Sequence, residues 1–381
     1  MNKYRTVIKT EKFPQLTRRV LTTENGLKSN NVTAMRFDNN GVLFVGTDKG
    51  LSRFDGEKFS PVNIGVKDAE IAMIYFDADN HMFVGVGNSM LEFDEKKKVS
   101  VKDFSSELVD VKVDLDGKTW ILTETVLYKL DGKGGYEIEI GVPGKGSCLA
   151  VYKNNKVYVG TNGGGLHALA GKRWHWSELM HGVTGSLSDT VTCLYMDPVG
   201  NIWVGTDKGV CVYDDNSYWL DHSKIAGLPE AHITDMAIAE NGDKYFATTT
   251  GLIHQHNGRL SYYGYKRWLP SPHATGVAIS PDGTVCVSTD NGISLFETKM
   301  MSLKEKAVAL RSQTEKYNVN RGYVLDRRLD NEGVVSLMRA MFPQPIMTVS
   351  GQDFTRRHSA LNTPAPRIRR FVPWQRDPSL L

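Results

Sequence analysis

The chain has 381 residues, and its 46 Lys and Arg against 43 Asp and Glu give a formal net charge of +3. Hydrophobic residues make up 40% of the chain, as in an ordinary globular protein. The sequence contains no run of about 18 apolar residues, the length that would predict a membrane span. The basic N-terminus lacks the apolar stretch of a signal peptide, so the sequence predicts a cytoplasmic or nuclear protein without membrane contact. The four cysteines lack CxxC spacing and lie in predicted strands, which predicts buried, reduced thiols.

A short pattern recurs along the first three quarters of the chain. In its clearest copy, a turn at Gly200 leads into a short strand that ends at Gly205. The second position of this strand is aromatic, Trp203. A polar loop closed by Gly209 follows, and then a second strand begins. The segment from Gly41 to Leu51 repeats this order with nearly the same residues. Each copy therefore predicts a β-hairpin.

Seven copies of the pattern predict the fold. They follow one another after 37 to 45 residues, the length of a four-stranded propeller blade. The aromatic position is held by Phe44, Phe83, Trp120, Tyr158, Trp203, Tyr245 and, in the last copy, Cys286. Two positions in the first strand of each copy stay apolar throughout, as packing between neighbouring sheets requires. The sequence thus predicts an all-β protein, a seven-bladed β-propeller.

The ring is predicted to close through the N-terminus. The seventh copy has three strands and then becomes helical, whereas residues 19–23 resemble an outer strand that precedes the first copy. Because an unpaired terminal blade would leave an open edge, residues 19–23 are expected to pair with residues 293–297. The predicted propeller spans residues 19–297, after an N-terminal extension of residues 1–18.

These repeats resemble the two-component regulator propeller family. The resemblance covers residues 19–297 and rests on a Gly-Leu before the first strand, an Asp at its end, a Gly turn and an aromatic-Val-Gly-Thr strand. The Asp positions are Asp38, Asp77, Asp114 and Asp197. The resemblance implies a seven-bladed propeller, which in this family is often the extracellular sensor of a membrane histidine kinase. The signal peptide, membrane span and kinase of such receptors are not recognised in this sequence.

The pattern changes after Glu297. Ser302 and Glu305 form a capping box, and the spacing of apolar residues predicts helices over residues 303–317 and 332–342. Residues 298–342 are thus a predicted helical segment, and residues 343–381 a Pro- and Arg-rich extended arm. From Thr298 onward the chain has fifteen Lys and Arg against seven Asp and Glu, so the basic end follows an acidic body.

The arm is the clearest predicted binding segment. Its arginines suit contacts with an acidic protein surface or with nucleic acid, and its aromatic residues favour burial against a partner. The predicted contact residues are Arg356, Arg357, Arg367, Arg369, Arg370, Phe371, Trp374 and Arg376. Ser359 follows two arginines and is a possible phosphorylation site. The alternative is a disordered solubilising tail.

Loops of the propeller supply further candidates. Lys49 and Lys208 lie in the polar loops of the first and fifth copies, and Leu179 and Met180 lie in an insertion of the fourth. An apolar insertion on a scaffold is a candidate partner contact. The alternatives are solvated turn residues and packing of the insertion onto its own blade.

Candidates for chemistry are scattered. His232 and His273 precede the first strands of adjacent blades and are the weak candidates for a metal site, although their spacing matches no known ligand pattern, so no metal and no cofactor are predicted. Asp110 and Asp235 occupy a position that is mostly apolar in the other copies. They would be either a general acid and base or acceptors for the backbone of a neighbouring blade.

The sequence favours a non-enzymatic protein-interaction scaffold whose loops and arm dock into a larger assembly. One alternative is a metal-dependent lactonase or lyase with its site at the mouth of the channel, because propellers host such chemistry. Another is a nucleic-acid-associated subunit that binds through the arm. No small-molecule ligand is evident from the sequence.

Overall fold

The computed structural model describes residues 11–94, 97–133, 135–152, 156–171, 173–176, 188–197, 200–213, 219–221 and 231–308. The chain divides into two compact units, one of Pro14–Lys299 and one of Met1–Phe13 with Met300–Leu381. Within the described part, no helix is long and apolar enough to cross a membrane.

The first unit contains seven four-stranded antiparallel sheets, here called blades. Strand β1 is Phe13–Leu21 and is followed by a 3₁₀ turn, Thr23–Asn25. Blade one contains β2 (Val32–Phe37), β3 (Leu43–Thr47), β4 (Gly50–Phe54) and β5 (Phe59–Pro61). Blade two contains β6 (Met73–Phe76), β7 (Met82–Val86), β8 (Ser89–Asp94) and β9 (Lys97–Asp103). Blade three contains β10 (Leu108–Val113), β11 (Thr119–Thr123), β12 (Val126–Leu130) and β13 (Tyr136–Gly141). Blades four and five contain β14 (Lys145–Val151), β15 (Val157–Asn162), β16 (Gly165–Ala170), β17 (Arg173–Trp176); and β18 (Val191–Met196), β19 (Ile202–Thr206), β20 (Gly209–Tyr213), β21 (Trp219–Asp221). Blade six contains β22 (Ile233–Ile238), β23 (Lys244–Thr248), β24 (Gly251–His256) and β25 (Arg259–Tyr263). Blade seven contains β26 (Ala274–Ile279), β27 (Val285–Thr289), β28 (Gly292–Met301) and β1.

The blades form a closed ring. The first strand of each blade packs against the first strands of both neighbours, and β26 of blade seven packs against β2 of blade one. Four hydroxyl groups on these inner strands donate to a carbonyl of the next blade. Thr275 of blade seven, for example, donates to the Val32 carbonyl of blade one at 3.2 Å. The other three pairs are Thr33 with Ile71, Ser147 with Val191 and Thr234 with Ala274. The predicted seven-bladed propeller is therefore confirmed.

The ring is closed by the N-terminal strand, as predicted. Strand β1 is the outer strand of blade seven and pairs with β28. It begins at Phe13 rather than Arg19, and β28 continues to Met301, so the two strands are longer than expected. Pro14 argues against a strand at residues 13–18, because proline has no N–H to donate within a sheet. It is tolerated here because β1 lies at a sheet edge.

The hydrophobic core lies between the blades. The buried apolar side chains form seven clusters, and each cluster joins two neighbouring blades. The glycine of the repeated strand allows this close packing. A Cβ added at Gly46 would lie 2.6 Å from Ile71 of blade two, and one added at Gly160 would lie 2.6 Å from Val191 of blade five. The aromatic-Val-Gly pattern is thus a packing motif.

The polar residues of the repeat hold its turns. In the hairpin loops of five blades, a threonine hydroxyl donates to the carbonyl of the closing glycine, as Thr47 does to Gly50 at 3.0 Å. In blade three, Thr123 donates in the same way to the Val126 carbonyl. The Asp at the end of the first strand caps the next turn. The Asp38 carboxylate accepts from the backbone N–H groups of Asn40 and Val42. These residues build the scaffold, which accounts for their repetition.

The cysteines and the capping box agree with the sequence. The four cysteines are buried and free, and burial raises the pKa of the Cys148 thiol to about 12. Ser302 and Glu305 exchange capping hydrogen bonds, and residues 303–308 are helical, so the first turns of the predicted helix are confirmed. The rest of residues 303–317, the helix over 332–342 and the arm of residues 343–381 lie outside the described residues.

Candidate functional site

The two aspartates of the inner strands join blades together. The Asp110 carboxylate accepts from the backbone N–H of Leu149 in blade four at 3.2 Å, and Lys112 lies 2.6 Å from its other oxygen. Asp235 accepts from the N–H of Val277 in blade seven at 3.0 Å. Of the two roles considered for these residues, the structure shows that of backbone acceptor. Both carboxylates are thereby committed to the joints between blades.

Asp235 lies on an inner strand of the ring, and its side chain is partly exposed to solvent. Burial raises the pKa of its carboxyl group, and the nearby Arg36 and Lys112 charges and two backbone hydrogen bonds counter this only in part. The folded state therefore holds the Asp235 proton more tightly than the unfolded state does. The contribution of this group to stability is present at low pH and is lost as the pH rises above the ordinary carboxyl range.

Asp235→Asn should remove this pH dependence while keeping an oxygen for the Val277 N–H. Urea unfolding between pH 4 and 7 should show the variant gaining stability relative to the wild type as the pH rises. Asp235→Ala, which leaves the N–H unpaired, should follow the same pH dependence as Asp235→Asn but be less stable than that variant by about 1–3 kcal/mol at every pH. A constant difference between wild type and Asp235→Asn across this range would contradict the assignment.

The predicted loop lysines are on the surface. Lys49 and Lys208 are exposed in the loops of blades one and five, where their backbone N–H groups donate to Thr47 and Thr206. Their positions follow from the threonine turn, and their role in binding stays a prediction.

Several other predicted site residues belong to segments outside the described part of the chain. Leu179 and Met180 of the insertion lie outside the described residues. So do the arm residues Arg356, Arg357, Arg367, Arg369, Arg370, Phe371, Trp374 and Arg376, together with Ser359.

His232 and His273 lie where the sequence placed them, directly before β22 and β26, and both are exposed. Among the described residues, the group of His, Cys, Asp and Glu side chains that converges is a different one, Asp243, His254 and His256 of blade six. The sequence analysis did not identify it.

A loop between blades six and seven carries an unusual set of exposed residues. Residues 264–270, here called the blade-six loop, are the first part of the connection from β25 to β26 and are held by internal hydrogen bonds. The N–H groups of Trp268 and Leu269 donate to the Gly264 carbonyl, and the N–H of Lys266 donates to the Leu269 carbonyl at 3.1 Å. Ser294 of β28 donates to the Trp268 carbonyl at 2.7 Å. The loop is therefore fixed on blade seven.

Two tyrosines and two cations face outward from this region. Tyr262 is 56% exposed and Tyr265 49% exposed, and Lys266 and Arg267 are also exposed. Lys266 lies over the Tyr265 ring at 5.8 Å, and the Arg267 guanidinium lies over the Trp268 ring at 5.5 Å. These four residues, Tyr262, Tyr265, Lys266 and Arg267, are here called the aromatic–basic surface.

The backbone of Lys266 is in the left-handed region, with φ of 68°. A lysine in this conformation costs about 1 kcal/mol or more and persists where the surrounding structure imposes it. The loop hydrogen bonds impose it here. The sequence signal for this surface is the run Tyr262-Tyr263-Gly264-Tyr265-Lys266-Arg267-Trp268, which joins two copies of the repeat and belongs to no repeated position.

The comparisons with known proteins agree with this fold. Residues 26–49 and 185–208 match the two component regulator propeller family model. The sequence of these two segments is therefore similar to the repeat of that family. No curated protein sequence matches it.

Solved structures resemble the propeller at low identity. The extracellular domain of a protein described as hybrid two component system BT3049 of B. thetaiotaomicron is 17% identical, with a TM-score of 0.63 over 74% of this chain and 42% of that one. Virginiamycin B lyase of Staphylococcus aureus is 10% identical, with a TM-score of 0.59 over 76% of this chain and 100% of that one. PorZ, a surface component of the Porphyromonas gingivalis type-IX secretion system, is 16% identical, with a TM-score of 0.55 over 71% of this chain and 46% of that one.

These likenesses concern the fold alone. The chain spans about two fifths of the length of the B. thetaiotaomicron two component structures that it matches. At 10–20% identity, neither the sensor domains nor the lyases carry their activity over to this chain.

Proposed function

We propose that the propeller is a non-enzymatic protein-interaction module that binds an acidic segment of a partner protein through the aromatic–basic surface. The observation that supports this most directly is the exposure of Tyr265, Lys266 and Arg267 on a fixed loop, three to five residues after the exposed Tyr262 of β25. Tyrosine and arginine are enriched at the centres of protein interfaces, where a rigid aromatic ring adds contact area at small entropic cost.

The fixed loop favours binding for a further reason. A loop that is already ordered loses little conformational freedom when a partner docks. Exposed tyrosines on a flexible loop would lose more. The strained Lys266 backbone, which the loop hydrogen bonds impose, is consistent with a conformation maintained for contact.

The charge of the surface selects the kind of partner. Lys266 and Arg267 lie next to each other, and Arg18 of β1 donates to the Lys266 carbonyl at 3.4 Å, which brings a third cation to the loop. Carboxylates of a partner would pair with these groups. The Arg-rich arm has the same sign, and we propose that it adds contacts to the same partner.

The test is a pair of charge reversals. Lys266→Glu with Arg267→Glu should reduce recovery of the native partner from cell extract at least tenfold, as loss of two interface charge pairs would. The control is Lys102→Glu with Lys133→Glu in blade three, because Lys102 lies over the ring of the exposed Tyr136 and both lysines lie near Asp131.

Retention of every partner by the loop variant, or equal losses in both variants, would contradict the proposal. Recovery of nucleic acid in place of protein would favour the nucleic-acid alternative, and its binding would then weaken steeply with salt. The enzyme alternative rests on the resemblance to lyase structures, which shows a shared fold.

A further inference from the structure

Three side chains of blade six converge at the end of the blade opposite the threonine loops. Asp243 ends the turn before β23, and His254 and His256 lie on one side of β24, since alternate residues of a strand share a face. Their ligand atoms all lie within 4.8 Å of one another. The His254 Nε2 atom is 3.2 Å from one Asp243 oxygen, and the His256 Nδ1 atom is 2.5 Å from the other.

Blade six departs from the repeat at each of these positions. In four other blades the turn carboxylate stands at the end of the first strand, as in Asp114, but blade six has Ala239 there and carries its carboxylate four residues later, at Asp243. In the strand registers, His254 stands where blade three has Lys129, and His256 stands where blade three has Asp131. The repeat therefore does not require this cluster.

The His254 ring is fixed in position by neighbouring aromatic rings, as a metal-binding histidine must be. It stacks on Tyr245 with ring centres 4.3 Å apart and an angle of 5°, and Tyr263 lies 6.2 Å away. Its Nε2 atom is buried and has no hydrogen-bond partner, because its approach to Asp243 does not have hydrogen-bond geometry. A buried polar atom without a partner costs free energy unless something satisfies it.

A metal ion bound to the Nε2 atom of His254 would satisfy this buried polar atom. Two ligands that each lie about 2.0–2.1 Å from a tetrahedral Zn²⁺ are about 3.3 Å apart, close to the separation of His254 Nε2 and Asp243. The shorter distance at His256 would have to lengthen when the ion binds, and that side chain is 57% exposed, so solvent lies on the side toward which its ring would shift. Asn257 lies 3.1 Å from the other ring nitrogen of His256, and Asn241 donates to Asp243, as groups behind metal ligands commonly do.

We infer that Asp243, His254 and His256 bind one divalent transition-metal cation of the Zn²⁺ type. Two imidazoles and one carboxylate suit such an ion, and three protein ligands leave a position for water or for a ligand from outside. The exposed His256 provides the entry path. This inference does not rest on the proposed partner surface, because none of the residues of that surface is a ligand of this site.

The experiment is a metal titration of the full chain, freed of metal by chelation and without an affinity tag. Co²⁺ is added first, because it reports its ligands by visible absorption, and Zn²⁺ is added by calorimetry in parallel. The wild type should bind one equivalent at this site, and His256→Gln and Asp243→Asn should each weaken that binding at least tenfold. His256→Gln changes an exposed side chain, so it remains informative if Asp243→Asn perturbs folding.

The matched control is His81→Gln. His81 makes a similar pair with Asp77 in blade two, 3.0 Å apart, but without a second histidine. Binding should be unchanged in this variant. Failure of the wild type to bind one equivalent, or equal binding by wild type and His256→Gln, would overturn the inference.

Discussion

Deletion of residues 1–21 should abolish the cooperative unfolding of the propeller. The deletion removes β1, the outer strand of blade seven, and leaves β28 with an unpaired edge. It also removes Leu21, which is fully buried in the cluster that joins blades seven and one. Burial of that side chain alone is worth about 2 kcal/mol, and the exposed strand edge favours association.

Thermal and urea unfolding measure the effect, and deletion of residues 1–10, which precede β1, is the control. The control should unfold in a single transition like the full chain. A peptide of residues 11–23 should restore the transition of the longer deletion by pairing with β28. A single transition near the wild-type midpoint without the peptide would show that β1 does not close the ring.

Gly160→Ala should destabilise the propeller by about 1–3 kcal/mol, as overpacking of a well-packed core commonly does. The added Cβ would lie 2.5 Å from Cys148 and 2.6 Å from Val191 of the next blade, both of which are buried. At these distances both buried side chains would have to shift. The measurement is the urea midpoint, with the slope of the transition used to check that unfolding stays two-state.

Gly141→Ala is the matched control for this substitution. Gly141 ends the outer strand β13, and a Cβ there would meet nothing within 4 Å. That variant should remain within about 0.5 kcal/mol of the wild type. Equal stabilities for the two variants would contradict the packing role of the repeated glycine.

The ring was predictable because each blade is specified by its own forty residues. Gly160 and its equivalents recur where neighbouring blades touch, and Thr47 and its equivalents recur where a hairpin must turn. Such requirements are local and repeat with the fold. The closing role of residues 19–21 was likewise predictable, since the seventh copy lacked a strand that the N-terminus supplied.

The candidate sites were harder to predict because they depend on how separate segments meet. Asp243 and His254 are brought together by the register of β23 and β24, although His254-Gln255-His256 alone already signalled two histidines on one strand face. The exposure of Tyr265 depends on a loop that folds onto β28. Neither fact follows from the aligned positions of the repeat, because these show only what all blades share.

Site-specific photocross-linking tests the central claim of a partner bound at the aromatic–basic surface most directly. A benzophenone amino acid replaces Tyr265 in one variant and Tyr136 of blade three in the other, both partly exposed tyrosines beside a lysine. The account predicts that irradiation in the protein's own cells joins a partner protein to position 265, and that Lys266→Glu with Arg267→Glu abolishes this product. Equal yields at both positions, or a yield at 265 that survives the charge reversal, would contradict it.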